Sequence, residues 1–195
     1  MEILYGILFG LACLAWGYLT GSVPTAVIIA RRRGVDITKV GSGNPGGTNV
    51  WRTLGWRPGL LCMLLDLAKG FAGAFPVLLI VLFLLKPNPA AGIPFVVFGG
   101  SEHLNVYVCL AGLGSALGHS FPLFFRFRGG KNVMVSLGFL MATSPLTGLF
   151  GLAVFLVFLF ASHRVAVGSL AAAVAIVVFG LVPVVLIALD VYGYQ

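Results

Sequence analysis

Charge is what this sequence has least of. Asp, Glu, Lys and Arg make up 9% of its 195 residues, about a third of the roughly 25% typical of a soluble domain. Five are acidic and 12 are basic, for a formal net charge of +7. So few charges cannot cover a water-facing globule, which excludes an ordinary soluble domain. Cysteine is also scarce: Cys13, Cys62 and Cys109 are an odd number, all within apolar runs. That excludes a disulfide framework and reads as small apolar packing residues. The P-loop pattern GxxxxGK[ST] is missing, as is a carboxylate pair for Mg²⁺. No Ser or Cys sits in a nucleophile elbow, and no His–Cys cluster indicates a metal. The first apolar run, MEILYGILFGLACLAWGYLT, has no basic segment before it, and its Arg cluster follows it. That order predicts a retained span with its N-terminus outside, not a cleaved signal peptide.

What the chain does have is hydrophobic length. Hydrophobic residues are 59% of the sequence, with 16 Phe. Apolar runs of about 18 or more residues recur, the mark of membrane-spanning helices. The runs are continuous and lack the period-two alternation of a barrel strand. The expected class is therefore all-α: a polytopic helical integral membrane protein, forming one membrane-embedded domain over residues 1–195. The positive charge then reflects the positive-inside rule, and no nucleic-acid partner is implied.

The first span is expected at about Ile3–Ala30, with a small-residue and proline break at Gly21-Ser22-Val23-Pro24. It ends at Arg31-Arg32-Arg33. From Arg31 to Arg57 runs the longest polar stretch, with six of the twelve basic residues and one acid, Asp36. The second span, about Pro58–Leu85, contains Asp66 and Lys69, which share a helix face at i,i+3. Each alone at the bilayer centre would cost about 2.5–3.5 kcal/mol. They read either as a structural intramembrane pair or as residues that shape a site. Lys86–His103 reads as an external loop with a short interfacial segment at Ile93–Phe98. The third span, about Leu104–Leu117, leads into the polar stretch Gly118–Lys131. The next thirty residues are expected to form two short spans, about Asn132–Ala142 and Leu146–Ala161, turning at Thr143-Ser144-Pro145. A single helix would put Arg126–Lys131 and His163-Arg164 on opposite sides, against the charge rule. The first leg is too short to cross alone and must pack against protein. The last run is about Val165–Leu189, followed by Asp190 and VYGYQ. This gives six spans, both termini outside, and ten of the twelve basic residues on the cytoplasmic side.

The polar stretches carry the chemistry. In Val40–Trp51, Gly41, Gly43, Gly46 and Gly47 permit positive φ and bare backbone amides. Ser42, Asn44, Thr48 and Asn49 add neutral donors and acceptors, and Arg52 adds a fork suited to phosphate. Gly129-Gly130-Lys131 repeats the idea, with Arg128 beside it. Two Gly-rich basic loops on one face describe an anion site, most naturally for phosphate. Alternatively, the glycines make tight turns and the cations only set orientation. His119 reads as a general base, a phosphate ligand, or a structural residue hydrogen-bonded at a helix end.

These residues carry a resemblance. GSGNPGGTN (Gly41–Asn49) with Val50–Gly55 resembles the first signature of the bacterial acyl-phosphate:glycerol-3-phosphate acyltransferase family. Leu65–Gly70 resembles its LDxxKG stretch. Gly118-His119 through Pro122 to Gly129-Gly130-Lys131 resembles GHxxPxFxxFKGGKG. Gly21–Pro24 and Gly168-Ser169-Leu170 match weaker positions. The resemblance implies a bacterial inner-membrane enzyme with its site at the cytoplasmic face and no cofactor or metal. The enzyme would transfer an acyl group from acyl phosphate to the sn-1 hydroxyl of glycerol 3-phosphate. The products would be lysophosphatidic acid and phosphate, the first step of phospholipid synthesis, with an acyl-phosphate-forming enzyme upstream as a possible partner. It implies that Ser42 and Arg52 handle the glycerol phosphate, that Lys131 clamps a phosphate, and that His119 belongs to the catalytic set.

The departures are Gly47 for Ala, Arg128 for Lys, Asn132–Val135 for GVAT, and Ala166 for Ser in HRVAVGSL. The family's seventh span and its HRxNIxRL ending are not matched before Gln195, so the roles of that His and Asn cannot be carried over. This prompts a second reading: a non-catalytic or divergent paralogue that binds or transports a lipid phosphate.

Overall fold

The computed structural model describes residues 1–85, 93–94, 103–104 and 106–188. Helices dominate: α1 (Glu2–Gly21), α2 (Thr25–Arg31), α3 (Gly47–Leu54), α4 (Trp56–Ile80), α5 (Val106–Ser120), α6 (Val133–Thr143), α7 (Pro145–Ser162) and α8 (Val165–Ala188). A π-helical turn, Val81–Leu85, extends α4. Two two-residue strands, β1 (Ile93–Pro94) and β2 (His103–Leu104), pair antiparallel. The rest of the expected interfacial segment, residues 95–98, lies outside the described residues, as do Lys86, Glu102 and residues 189–195.

Among the described residues, four segments are long and apolar enough to cross a membrane: Ile3–Arg31, Trp56–Phe83, Val106–Phe125 and Pro145–Ser162. Two shorter apolar helices, Val133–Thr143 and Val165–Leu181, bring the hydrophobic segments to six. The chain is a multi-pass helical membrane protein. Its outward faces carry large apolar side chains such as Phe83, Phe160 and Leu170, as a lipid-facing surface requires.

The helices group into two compact units. The first holds Met1–Pro87 and Asn105–Thr143, and it is built on glycine. Lipid gives helices no hydrophobic drive to associate, so close backbone approach must supply the attraction. Helix α1 offers Gly17-x-x-x-Gly21 and α5 offers Gly114-x-x-x-Gly118, and the contact is reciprocal. A Cβ on Gly17 would lie 1.9 Å from the Ala111 carbonyl oxygen, and one on Gly114 2.2 Å from that of Leu14. Gly21 and Gly118 repeat the relation one turn on, against the carbonyls of Ser115 and Tyr18. Helices α4 and α6 lock the same way, Gly70 against the Val135 carbonyl and Gly138 against that of Leu67. This answers how the short α6 is supported: it packs on α4.

Pro76, inside α4, removes the amide that would bond to the Ala72 carbonyl four residues earlier. The Trp16 indole of α1 donates to that carbonyl at 3.2 Å. The lost bond is replaced from a neighbouring helix, as the dry interior of a membrane protein demands.

The stretch between α2 and α4 is not the open polar loop that its glycines suggest. Gly47–Leu54 is a helix, with Val50 fully buried. Gly, Thr and Asn are poor helix formers, so packing decides: α3 lies so close to α4 that a Cβ on Gly59 would touch Trp51. Before it, Asp36 caps a turn, accepting from the Thr38 hydroxyl at 2.7 Å and amide at 3.1 Å. These bonds hold the Asp36 carboxyl below its ordinary pKa. Ala26, Ile29, Ala30, Ile37, Val50 and Cys62 form the apolar cluster under this layer, with Phe125 packed on it.

In the second unit, Pro145 occupies the first turn of α7, where its missing N–H costs nothing. The Ser144 hydroxyl bonds to Thr147 Oγ1 at 2.6 Å. His163, in the left-handed region at φ 55°, ends α7 before α8 begins. Gly168-Ser169-Leu170 lies within α8.

Candidate active site

One cleft in the first unit gathers pieces of all three sequence motifs. It is partly open to solvent, with a cavity volume of about 10 Å³. The α1–α2 break forms one wall with Gly21, Val23, Pro24, Thr25 and Val27. Pro45 enters from the first motif, Lys69 from α4 and His119 from α5, and Pro122, Arg128, Gly129 and Gly130 complete it from the loop after α5. Val23 and Pro24 interrupt an apolar segment of 29 residues, and their carbonyls accept from the Thr25 and Ile28 amides at 3.0 Å.

Behind the cleft lies a buried polar cluster. Asp66 and Lys69 are 3% and 7% exposed. Lys69 Nζ is 3.0 Å from Asp66 Oδ1 and donates to the Val23 carbonyl at 2.9 Å. The Thr25 hydroxyl donates to the same carboxylate oxygen. His119, 7% exposed, brings Nδ1 to 3.9 Å from it. Three side chains, from α2, α4 and α5, thus converge on one carboxylate. Of the two readings left open for Asp66 and Lys69, both apply: the pair is structural, and Lys69 lines the cleft. Sequence reasoning put Asp66 and Lys69 on one face but had no means to bring the α1–α2 break to them.

His119 lies within α5, two residues beyond the expected end of the third span at Leu117. Its carbonyl accepts from the Gly130 amide at 3.0 Å. A Cβ on Gly129 would lie 1.8 Å from that carbonyl oxygen, and one on Gly130 2.3 Å from the imidazole Nε2. The two glycines are required because this loop folds flat onto His119. Arg126, Phe127 and Asn132 around it adopt positive φ without being glycine, a strained conformation of the kind that clusters at functional sites. Asn132 donates to the Ser120 hydroxyl at 2.7 Å.

The first motif divides into ligand-facing and structural parts. Asn49 is 2% exposed and fully engaged: its amide donates to the carbonyls of Ile37 at 3.1 Å and Val40 at 3.0 Å, and accepts from the Ser42 amide at 3.0 Å. These bonds make it a staple inside the loop. Gly41, at φ 59°, leaves room for Asn49 Oδ1, and Gly47 for Met63. Gly43, at φ 69°, completes the turn, in which Ser42 Oγ accepts from the Asn44 amide at 3.5 Å. Gly46 is the buried residue preceding α3 and Thr48 lies in its first turn. Ser42, Arg52 and Lys131 are exposed and do not line the cleft. The structure therefore joins His119, Arg128, Gly129 and Gly130, with Pro45 as the contact from the first motif.

The family model for glycerol-3-phosphate acyltransferase matches residues 11–193. The chain belongs to the glycerol-3-phosphate acyltransferase family. A family member from Chlorobaculum parvum is 40% identical over 166 residues, covering 85% of this chain and 67% of that protein. One from Salinibacter ruber is 40% identical over 164 residues, covering 81% and 67%. The chain thus spans about two thirds of the length of these acyltransferases. Among solved structures, the fold is similar to PlsY (YgiH), an integral membrane glycerol 3-phosphate acyltransferase, in its glycerol 3-phosphate form. The TM-score is 0.72 at 34% identity, covering 89% of this chain and 77% of that one. The lysophosphatidic acid form of PlsY gives a TM-score of 0.70.

Proposed function

We propose that this family member transfers an acyl group from acyl phosphate to the sn-1 hydroxyl of glycerol 3-phosphate, releasing lysophosphatidic acid and phosphate. Family membership supports glycerol 3-phosphate as acceptor, and the relative's two crystal forms pair that substrate with a lysophosphatidic product. The observation that carries the reading for this chain is the cleft where the two Gly-rich motifs meet over buried Lys69 and His119.

The reaction asks little covalent chemistry of the protein. Acyl phosphate is a mixed anhydride with an activated carbonyl and a good leaving group. The glycerol hydroxyl oxygen forms the new bond to the carbonyl carbon, and the bond from that carbon to the phosphate oxygen breaks. The hydroxyl proton passes to a substrate phosphate oxygen, so no strong protein base is needed. The protein aligns the two substrates and stabilises charge growing on the leaving phosphate. Arg128, with Gly129-Gly130 beside it, serves the phosphate in the cleft. Ser42 and Arg52 meet the glycerol phosphate, and Lys131 clamps a phosphate from the exposed rim. The basic cluster Arg31-Arg32-Arg33 supports a cytoplasmic position for this face in a bacterial inner membrane. There an acyl-phosphate-forming enzyme supplies the donor.

The test is acyl transfer by purified protein given palmitoyl phosphate and glycerol 3-phosphate without acyl-CoA. Lysophosphatidic acid should form. Lys131→Ala should lose at least about tenfold in kcat/KM, the scale of one charged hydrogen bond, with an unchanged melting temperature because Lys131 is exposed. Glycerol 3-phosphate binding without turnover in the folded protein would favour the non-catalytic lipid-phosphate reading.

A further inference from the structure

Lys69 has more hydrogen-bond donors than partners. Its ammonium carries three N–H groups and no acceptor. Among the described residues it bonds to Asp66 Oδ1 and the Val23 carbonyl, which uses two. The side chain is 7% exposed, yet it lines the cleft. A buried ion pair on its own is a weak source of stability, because desolvation offsets the attraction. Apolar residues would fill α4 as well. What they could not do is present a fixed cation to the cleft that also holds Arg128 and the Gly129-Gly130 backbone.

We propose that Lys69 contacts a phosphoryl oxygen of the bound substrate through its third N–H, with Asp66 and the Val23 carbonyl as the positioning groups. The proposal rests on the phosphate-ester reading of the cleft and adds a cation that neither Gly-rich loop supplies. The geometry explains three features together. The α1–α2 break presents the Val23 carbonyl, which also accepts from the Thr25 amide, to the ammonium. The Thr25 hydroxyl donates to the carboxylate oxygen that Lys69 leans on, and His119 Nδ1 lies 3.9 Å from it. The i,i+3 spacing of Asp66 and Lys69 sets the reach of the cation from a rigid helix rather than from a loop. The ligand class is a phosphate monoester or acyl phosphate dianion.

The experiment separates this role from a structural one. Lys69→Met leaves Asp66 buried without its partner, so it should lower the melting temperature. The double variant Asp66→Asn/Lys69→Met removes both charges and should restore it. Phosphate recognition should stay lost in the double variant, with inorganic phosphate and glycerol 3-phosphate binding about 10- to 100-fold more weakly. Lys69→Gln is the second variant: it keeps two N–H donors for Asp66 and Val23 but lacks the third and the charge, and it should show the same loss. Thermal shift with each probe reads binding without requiring turnover. A double variant that regains both melting temperature and wild-type affinity would overturn the proposal. So would Lys69→Gln with unchanged affinity, or a wild-type protein that binds neither probe. Probe binding by wild type without acyl transfer would instead sink the acyltransferase reading and leave the Lys69 contact standing.

Discussion

Replacing Asn49 should open a loop rather than remove a ligand contact. Its side chain makes three hydrogen bonds, to Ile37, Val40 and Ser42, from a position 2% exposed. At about 0.5–1.5 kcal/mol net for each, Asn49→Ala should weaken closure of residues 37–42 by about 1.5–4.5 kcal/mol. That is a roughly 10- to 1,000-fold rise in the open population. Asn49→Asp tests the geometry. It keeps an acceptor for the Ser42 amide but turns an anionic oxygen toward two backbone carbonyls, so it should be no better than Ala. Limited trypsin digestion after Lys39 reads the opening, because cleavage follows the open population when reclosing is fast. Both variants should be cut faster. Glycerol 3-phosphate KM should rise in parallel, since Ser42 loses its anchor. A raised KM with an unchanged cleavage rate would refute the reasoning and make Asn49 a direct ligand.

The glycine seam gives a second test. Gly118→Ala drives a Cβ to 2.2 Å from the Tyr18 carbonyl and should cost about 1–3 kcal/mol or more by overpacking. Gly180→Ala meets nothing within 4 Å and should be neutral or stabilising by up to about 1 kcal/mol, both read as melting temperature in detergent. Gly129→Ala collides with the His119 carbonyl, so it should lower kcat/KM by about tenfold or more while the helices stay folded by circular dichroism; unchanged kinetics would mean the loop need not lie on His119. Asp36 supplies a pH test. Its folded pKa is depressed by the Thr38 hydroxyl and amide. The turn is therefore fully formed above the ordinary carboxylate range and is lost only as pH falls through the depressed value. Hydrogen exchange at the Thr38 amide should stay slow until then, and Asp36→Asn should remove the dependence.

Much of the helix layout was legible because membrane spans announce themselves by length and by what interrupts them. The turn at Thr143-Ser144-Pro145 and the break at Gly21–Pro24 both fall where proline and small residues predict. The charge rule also chose two helices over one for residues 132–162. Helix α3 was not legible, since its glycine, threonine and asparagine favour a loop and only packing on α4 makes it helical. The site was half legible. His119, Arg128, Gly129 and Gly130 come together as their motif suggests. Ser42, Arg52 and Lys131 are exposed and do not line the cleft, because the conformation of the intervening loops sets where a motif's side chains point. The place of Lys69 at the cleft was not legible because its partner Val23, and the Thr25 that bonds Asp66, lie more than forty residues earlier, and no local pattern encodes that meeting.

The reciprocal glycines of α1 and α5 work as a depth gauge. With backbones this close, neither helix can slide along the other without driving a carbonyl into a Cβ. His119 directly follows Gly118, and the α1 break directly follows Gly21, so both site components are measured from the same pair of notches. The opposite end of α1, from Met1 to about Leu11, presents mostly exposed apolar side chains, and its Gly6 and Gly10 meet only the side chains of Tyr107 and Leu110, not a carbonyl. Its length can change to suit a thicker or thinner bilayer without altering the distance between the break and His119. Span length and site geometry are separately adjustable, which lets one catalytic face serve membranes of different thickness.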